Sequence, residues 1–92
     1  MWDRLRRLRY SGTWNPGNAA DATPVTTDIT VTGAAMGDFV LASFSVDVVD
    51  VTLTAQVTAA NTVTVCLVNT TGSGVDLASG TLRVLVLKQE SW

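Results

Sequence analysis

Val51 to Asn69, VTLTAQVTAANTVTVCLVN, constrains the fold of this chain more than any other stretch. Leu53, Ala55 and Val57 alternate with Thr52, Thr54, Gln56 and Thr58. Beyond Ala59-Ala60-Asn61, Val63, Val65 and Leu67 alternate with Thr62, Thr64 and Cys66. Two period-two runs on either side of a turn predict an antiparallel hairpin with one buried face. Pairing Val57 with Val63 sets Ala55 against Val65, Leu53 against Leu67, Thr54 against Cys66 and Thr58 against Thr62. One face is then apolar and the other rich in hydroxyls. A slip of one residue would exchange them, so the register is strongly specified. Asn61 is the turn residue best able to take a positive φ.

The rest of the composition agrees with strands. Ninety-two residues allow one domain with a modest core. Hydrophobic residues make up 47% but aromatics only 7%, so the bulk is Val, Leu and Ala, and Val and Thr favour extended backbone. No apolar run reaches the length of a membrane-spanning helix. The basic N-terminus lacks the apolar stretch and small-residue cleavage site of a signal peptide, so export by that route is not expected. Cys66 is the single cysteine, which excludes an internal disulfide and a multi-cysteine zinc site; mid-strand, it reads as a packing residue. With no histidine, the usual general base and the commonest metal ligand are missing. The net charge of −2 is unevenly spread: Arg4, Arg6, Arg7 and Arg9 face only Asp3 in the first ten residues, while the remainder sets Arg83 and Lys88 against seven acids. Head and body are therefore separate electrostatic pieces.

In chain order, Met1 to Tyr10 (MWDRLRRLRY) reads as a basic arm. It has the pattern of a short amphipathic turn or two, too short to be stable alone, and is expected to gain order by docking on an anionic partner. Ser11 to Pro24 reads as a loop with a turn at Asn15-Pro16-Gly17 and Trp14 as an anchor; Tyr10 to Trp14 is a candidate sixth strand. Val25 to Thr32 is the first secure strand, followed by a glycine-bounded turn from Gly33 to Asp38. Asp38 to Val46 is the next, with Val40, Ala42, Phe44 and Val46 on one face and Phe39 and Leu41 on the other. Gly80 to Leu87 places Leu82, Val84 and Val86 on one face and Arg83, Leu85 and Leu87 on the other. Strands apolar on both faces suit double cover, by the chain's own core and by another chain. Val75 to Leu77 reads as an irregular approach, and Lys88 to Trp92 as a polar tail. Five strands joined by Gly, Asn and Asp turns give an all-β fold, a small antiparallel sandwich or barrel. We read it as a jelly-roll-like β-sandwich with an extended N-terminal arm. The arm and loop occupy 1–24, the sandwich domain 25–88 and the tail 89–92.

Residues able to carry chemistry are sparse. Asp47 and Asp50, with Asp38 as a possible neighbour in space, make a weak case for calcium against a solvated connector. A serine nucleophile would have only Lys88 as its base, and no motif joins them. Gly72-Ser73-Gly74 is too short for a phosphate loop and opens no helix. Asn69-Thr70-Thr71 matches a glycosylation sequon, but without a secretory signal it is read as accidental. No catalytic residue, cofactor, metal or small-molecule substrate is assigned, and the chain is not read as an enzyme. The acidic body disfavours nucleic acid, which only the arginine-rich arm keeps open.

A family resemblance rests on particular residues. Gly33-Ala34 and Gly37-Asp38 opening a strand, Thr54 to Val57, Ala59-Ala60-Asn61-Thr62-Val63-Thr64-Val65, Asn69-x-Thr71-Gly72 and Val75-Asp76-Leu77-Ala78-Ser79-Gly80-Thr81 resemble the short β domain of many tailed-phage and prophage structural proteins. The entry at Gly12-Thr13-Trp14-Asn15-Pro16-Gly17 is also similar, so the likeness spans about Ser11 to Leu87. Cys66, where similar chains often carry a basic residue, and Val48-Val49-Asp50-Val51 depart from the pattern. The departures change surface charge and leave the shape of that connector open. The resemblance implies a non-catalytic virion component, of the head decoration (cement) type, commonly trimeric.

From this we expect a homotrimer on the capsid surface, assembled in the bacterial cytoplasm and bound to the major capsid protein. Trp2, Arg4, Arg6, Arg7, Arg9 and Trp14 are assigned to the capsid or another partner. Phe39, Leu41, Phe44, Leu85 and Leu87 are assigned to the subunit interface. No membrane contact is expected. The alternative is a tail or fibre module that binds a receptor, for which Tyr10, Trp14 and Trp92 are the available aromatics; a chain with its own Met1 favours decoration.

Overall fold

Among the described residues, alternation of branched and polar residues produces eight strands: β1 (Arg7–Trp14), β2 (Gly17–Ala19), β3 (Val25–Thr30), β4 (Phe39–Phe44), β5 (Thr52–Ala59), β6 (Thr62–Val68), β7 (Val75–Leu77) and β8 (Gly80–Leu87). The computed structural model describes residues 7–20, 22–46 and 51–89. All pairings are antiparallel, in sheets of order β1-β8-β4, β3-β6-β5 and β2-β7. β1 pairs with β8, β2 with β7 and β3 with β6, so the first three strands and the last three form one nested ribbon. Pro16, which has no N–H to donate, interrupts that ribbon between β1 and β2. The chain is thus an antiparallel β-sandwich. Its sheets hold three, three and two strands.

The core lies between the two three-stranded sheets. Leu82, Val84 and Val86 of β8 meet Val63 and Val65 of β6, with Ile29 and Val57 beside them, all buried. A second cluster of Val51, Leu67 and Leu77 lies toward the β2–β7 sheet. Trp14 packs against both clusters, and its ring meets Phe44 edge-on, with centroids 5.6 Å apart at 61°.

The central hairpin has the expected register from Leu53↔Leu67 to Val57↔Val63, and departs from it at the tip. There Ala59, not Thr58, pairs with Thr62, because a bulge lies between Val57 and Ala59. The bulge leaves Thr58 Oγ1 2.8 Å from Thr64 Oγ1. Asn61 has φ 62° and fastens the tip to the turn after β3. Its N–H donates to Ala34 O, its carbonyl accepts from Val31 N, and its Oδ1 accepts from Gly33 N, each at 2.8 Å. Asn61→Gly keeps the backbone conformation and loses only the side-chain bond. Asn61→Ala also strains φ, and should be about 1 kcal/mol less stable than the glycine variant in urea titrations. Equal midpoints for the two would show that φ contributes nothing there.

The candidate strand at Tyr10 to Trp14 is present and begins earlier, at Arg7: β1 pairs with β8 from Arg7↔Leu87 to Trp14↔Gly80, so residues 7–10 of the arm are extended and form no helical turn. The boundary drawn at residue 24 therefore has strands of the same domain on both sides. Leu8, Tyr10 and Trp14 alternate with Arg7, Arg9 and Thr13, and packing the first set on the core outweighs any helical tendency. Lys88, read as the start of a polar tail, is buried.

Candidate interaction face

Strand parity builds the site. With Leu8, Tyr10 and Trp14 turned to the core, β1 presents Arg7, Arg9, Ser11 and Thr13 outward. On β8 the inward set Leu82, Val84 and Val86 leaves Arg83, Leu85 and Leu87 outside. On β4 the inward set Val40, Ala42 and Phe44 leaves Phe39, Leu41 and Ser43. The registers align these in rows across the sheet: Arg7–Leu87–Phe39, then Arg9–Leu85–Leu41, then Ser11–Arg83–Ser43. Leu41 is 61% exposed and Phe39 47%, and Met36, in the turn before β4, is also exposed. A shallow concavity of about 690 Å³ runs over the second and third rows, floored by Leu41 and Leu85 and flanked by Arg7, Arg9 and Arg83.

Among the described residues this face has one sign of charge. Among the described residues, none of the three arginines is paired with a carboxylate, and the described acids lie elsewhere. Asp38 is engaged by Lys88, Asp76 is on β7, and Asp28 is on the other sheet, where its Oδ1 accepts from Thr64 Oγ1 at 2.6 Å. The outer face of β3-β6-β5 is the converse, a hydroxyl surface of Thr26, Thr54, Thr58, Thr62 and Thr64 around Cys66.

Arg7 and Arg9, given to one partner, share rows with Leu85, Leu87, Phe39 and Leu41, given to another. Trp14 and Phe44 are half-buried: they lie on the inward side of their strands, pack on the core and meet each other edge-on. Trp2, Arg4 and Arg6 lie outside the described residues, as do Trp92, Asp47 and Asp50. Arg83 joins the site without having been assigned to it, and its alternation with Leu82 and Val84 is the signal that places it outside.

Two polar clusters were also missed as units. Asn69 is fully buried: its Nδ2 donates to Ala19 O and Ser73 O, and its Oδ1 accepts from Thr71 N and Thr71 Oγ1. The sequon is therefore a loop clamp, with its amide committed inside. Asp38 and Lys88, the two groups considered for metal binding and base chemistry, are partners in a buried ion pair at 2.6 Å. Comparison with protein-family models, curated proteins and solved structures found no match to this chain.

Proposed function

We propose that this chain is a non-catalytic virion structural protein, a capsid decoration protein that docks through the outer face of β1-β8-β4. The carrying observation is that sheet face: leucines in register on two strands, left outside by a core already filled from the other side. Burying a fully exposed leucine is worth about 1.5–3 kcal/mol, so docking there is a gain the isolated chain leaves unused. The family resemblance supplies the capsid as the place of docking. The receptor-binding alternative draws less support, since Trp14 and Tyr10 pack on the core and do not gather on the surface. Self-association as a homotrimer would use Leu41, Leu85 and Leu87, the residues that would meet the shell. The two contacts compete for one surface, and its charge bears on which prevails.

Cryo-electron microscopy of the particle that carries this chain tests the proposal. Density of this sandwich is expected on the outer shell where capsomers meet. Density confined to the tail, or none on the particle, would overturn it.

A further inference from the structure

The arginines and the leucines form one recognition surface, and we infer that its occupant is an acidic protein surface, with carboxylates placed beside apolar side chains, and not a second copy of this chain. The inference rests on the decoration reading only for where that surface is found, on the capsid shell.

Arg7 and Arg9 lie two residues apart on the same face of β1, roughly 7 Å from one another. Arg83 lies diagonally across from Arg9, on the row shared with Ser11 and Ser43. Three guanidinium groups thus edge a strip made by Leu41, Leu85 and Leu87. An isologous contact between two copies would bring six arginines together, with no described acid from either face between them. At physiological salt the screening length is about 8 Å, so repulsion across such a contact would persist. A heterologous contact, as in a ring, would set the leucines against a face such as that of β3-β6-β5, where no described large apolar side chain is exposed. A nucleic-acid backbone would satisfy the arginines and leave the leucines facing phosphate and water. A surface with carboxylates opposite β1 and Arg83, and apolar residues opposite Leu41 and Leu85, satisfies both. Guanidinium–carboxylate pairs would also fix its orientation.

The test uses the full chain and four labelled probes: a short capped peptide alternating Glu and Leu, its Gln/Leu counterpart, a DNA duplex and the chain itself. In fluorescence anisotropy the Glu/Leu peptide should bind about tenfold more tightly than the Gln/Leu peptide, and more tightly than DNA. Arg9→Gln combined with Arg83→Gln should remove that preference, and Leu41→Ser should weaken both peptides. These side chains are exposed or half-exposed, and an unchanged urea midpoint would confirm that the variants fold. Equal binding of the two peptides, no measurable binding of either, or tighter binding to DNA would overturn the inference. So would a wild-type oligomer in sedimentation that Leu41→Ser dissolves, since the occupant would then be a second copy. Acid-selective binding by a chain missing from the capsid shell would refute the decoration reading alone.

Discussion

Asn69→Ala is expected to lower the unfolding free energy by about 3 kcal/mol, although the residue lies outside the strands, in the loop after β6. The magnitude follows from what one buried side chain holds. Its Nδ2 joins Ala19 O on one side to Ser73 O on the other, both at 2.7 Å. Its Oδ1 receives Thr71 N at 2.9 Å and Thr71 Oγ1 at 2.7 Å. Its backbone carbonyl receives Ala22 N at 2.7 Å, which holds Ala22 at a φ of 60° that an L-residue takes only when something fixes it. Truncation leaves the Ala19 carbonyl without that donor in a site the Asn69 side chain had closed to water. Such a group costs about 1–3 kcal/mol, added to the bonds themselves. Asn69→Asp keeps the shape but sets an oxygen against two carbonyls, and should be at least as damaging as alanine. Urea titrations with an unchanged slope would measure both variants. A midpoint within error of wild type for either would mean that the loop is held by something else.

The parts of this molecule legible in the sequence are those written in period two. Leu53, Ala55, Val57, Val63, Val65 and Leu67 announced their hairpin, its buried face and nearly all of its register, because a half-buried strand needs only local alternation. The bulge at Thr58 was not legible, since the alternation runs through it unbroken; it shows only once Asn61 is seen docked on the turn after β3. β1 carries the same alternation, but four arginines in six positions equally fit a basic arm, and the amphipathic pattern of Met1 to Tyr10 equally fits a helical turn. The choice is made by β8, which β1 pairs along its whole length from Arg7↔Leu87 to Trp14↔Gly80 and which lies at the far end of the sequence. The interaction face was half legible. Phe39, Leu41, Leu85 and Leu87 stood out as surplus apolar residues, whereas the registration of Arg7 and Arg9 with them depends on that same remote pairing. Asn69 looked like a sequon, because a short motif carries no information about burial.

The Asp38–Lys88 pair should make stability fall in acid in a way that substitution of either residue abolishes. The pair joins residues fifty positions apart at 2.6 Å, with side chains 8% exposed for Lys88 and 0% for Asp38. Lys88 Nζ also donates to Gly33 O at 2.8 Å, and Asp38 accepts from Ala35 N at 2.9 Å and from Gln89 N at 3.1 Å. The pair thus ties the end of β8 to the turn before β4. Burial pushes the Asp38 carboxyl up. The hydrogen bonds from Lys88, Ala35 and Gln89, with the charge of Lys88, outweigh it and hold the pKa below the ordinary 3.8. A depressed carboxylate contributes stability that is complete above the unfolded pKa, near 3.8, and is lost as pH falls through the lower folded value. Asp38→Asn and Lys88→Met should each destabilise the domain by about 3 kcal/mol at neutral pH, since each leaves an unmatched charge or carbonyl in a closed site. The gap between wild type and Asp38→Asn should close in acid, because protonation removes from the wild type what the substitution has already removed. The double variant should lose less than the sum of the singles, as neither charge is then stranded. Urea titrations from neutral pH down through the acid limb, on all four proteins, decide it. A gap that stays constant into acid, or strictly additive losses, would show that the pair contributes packing and not charge.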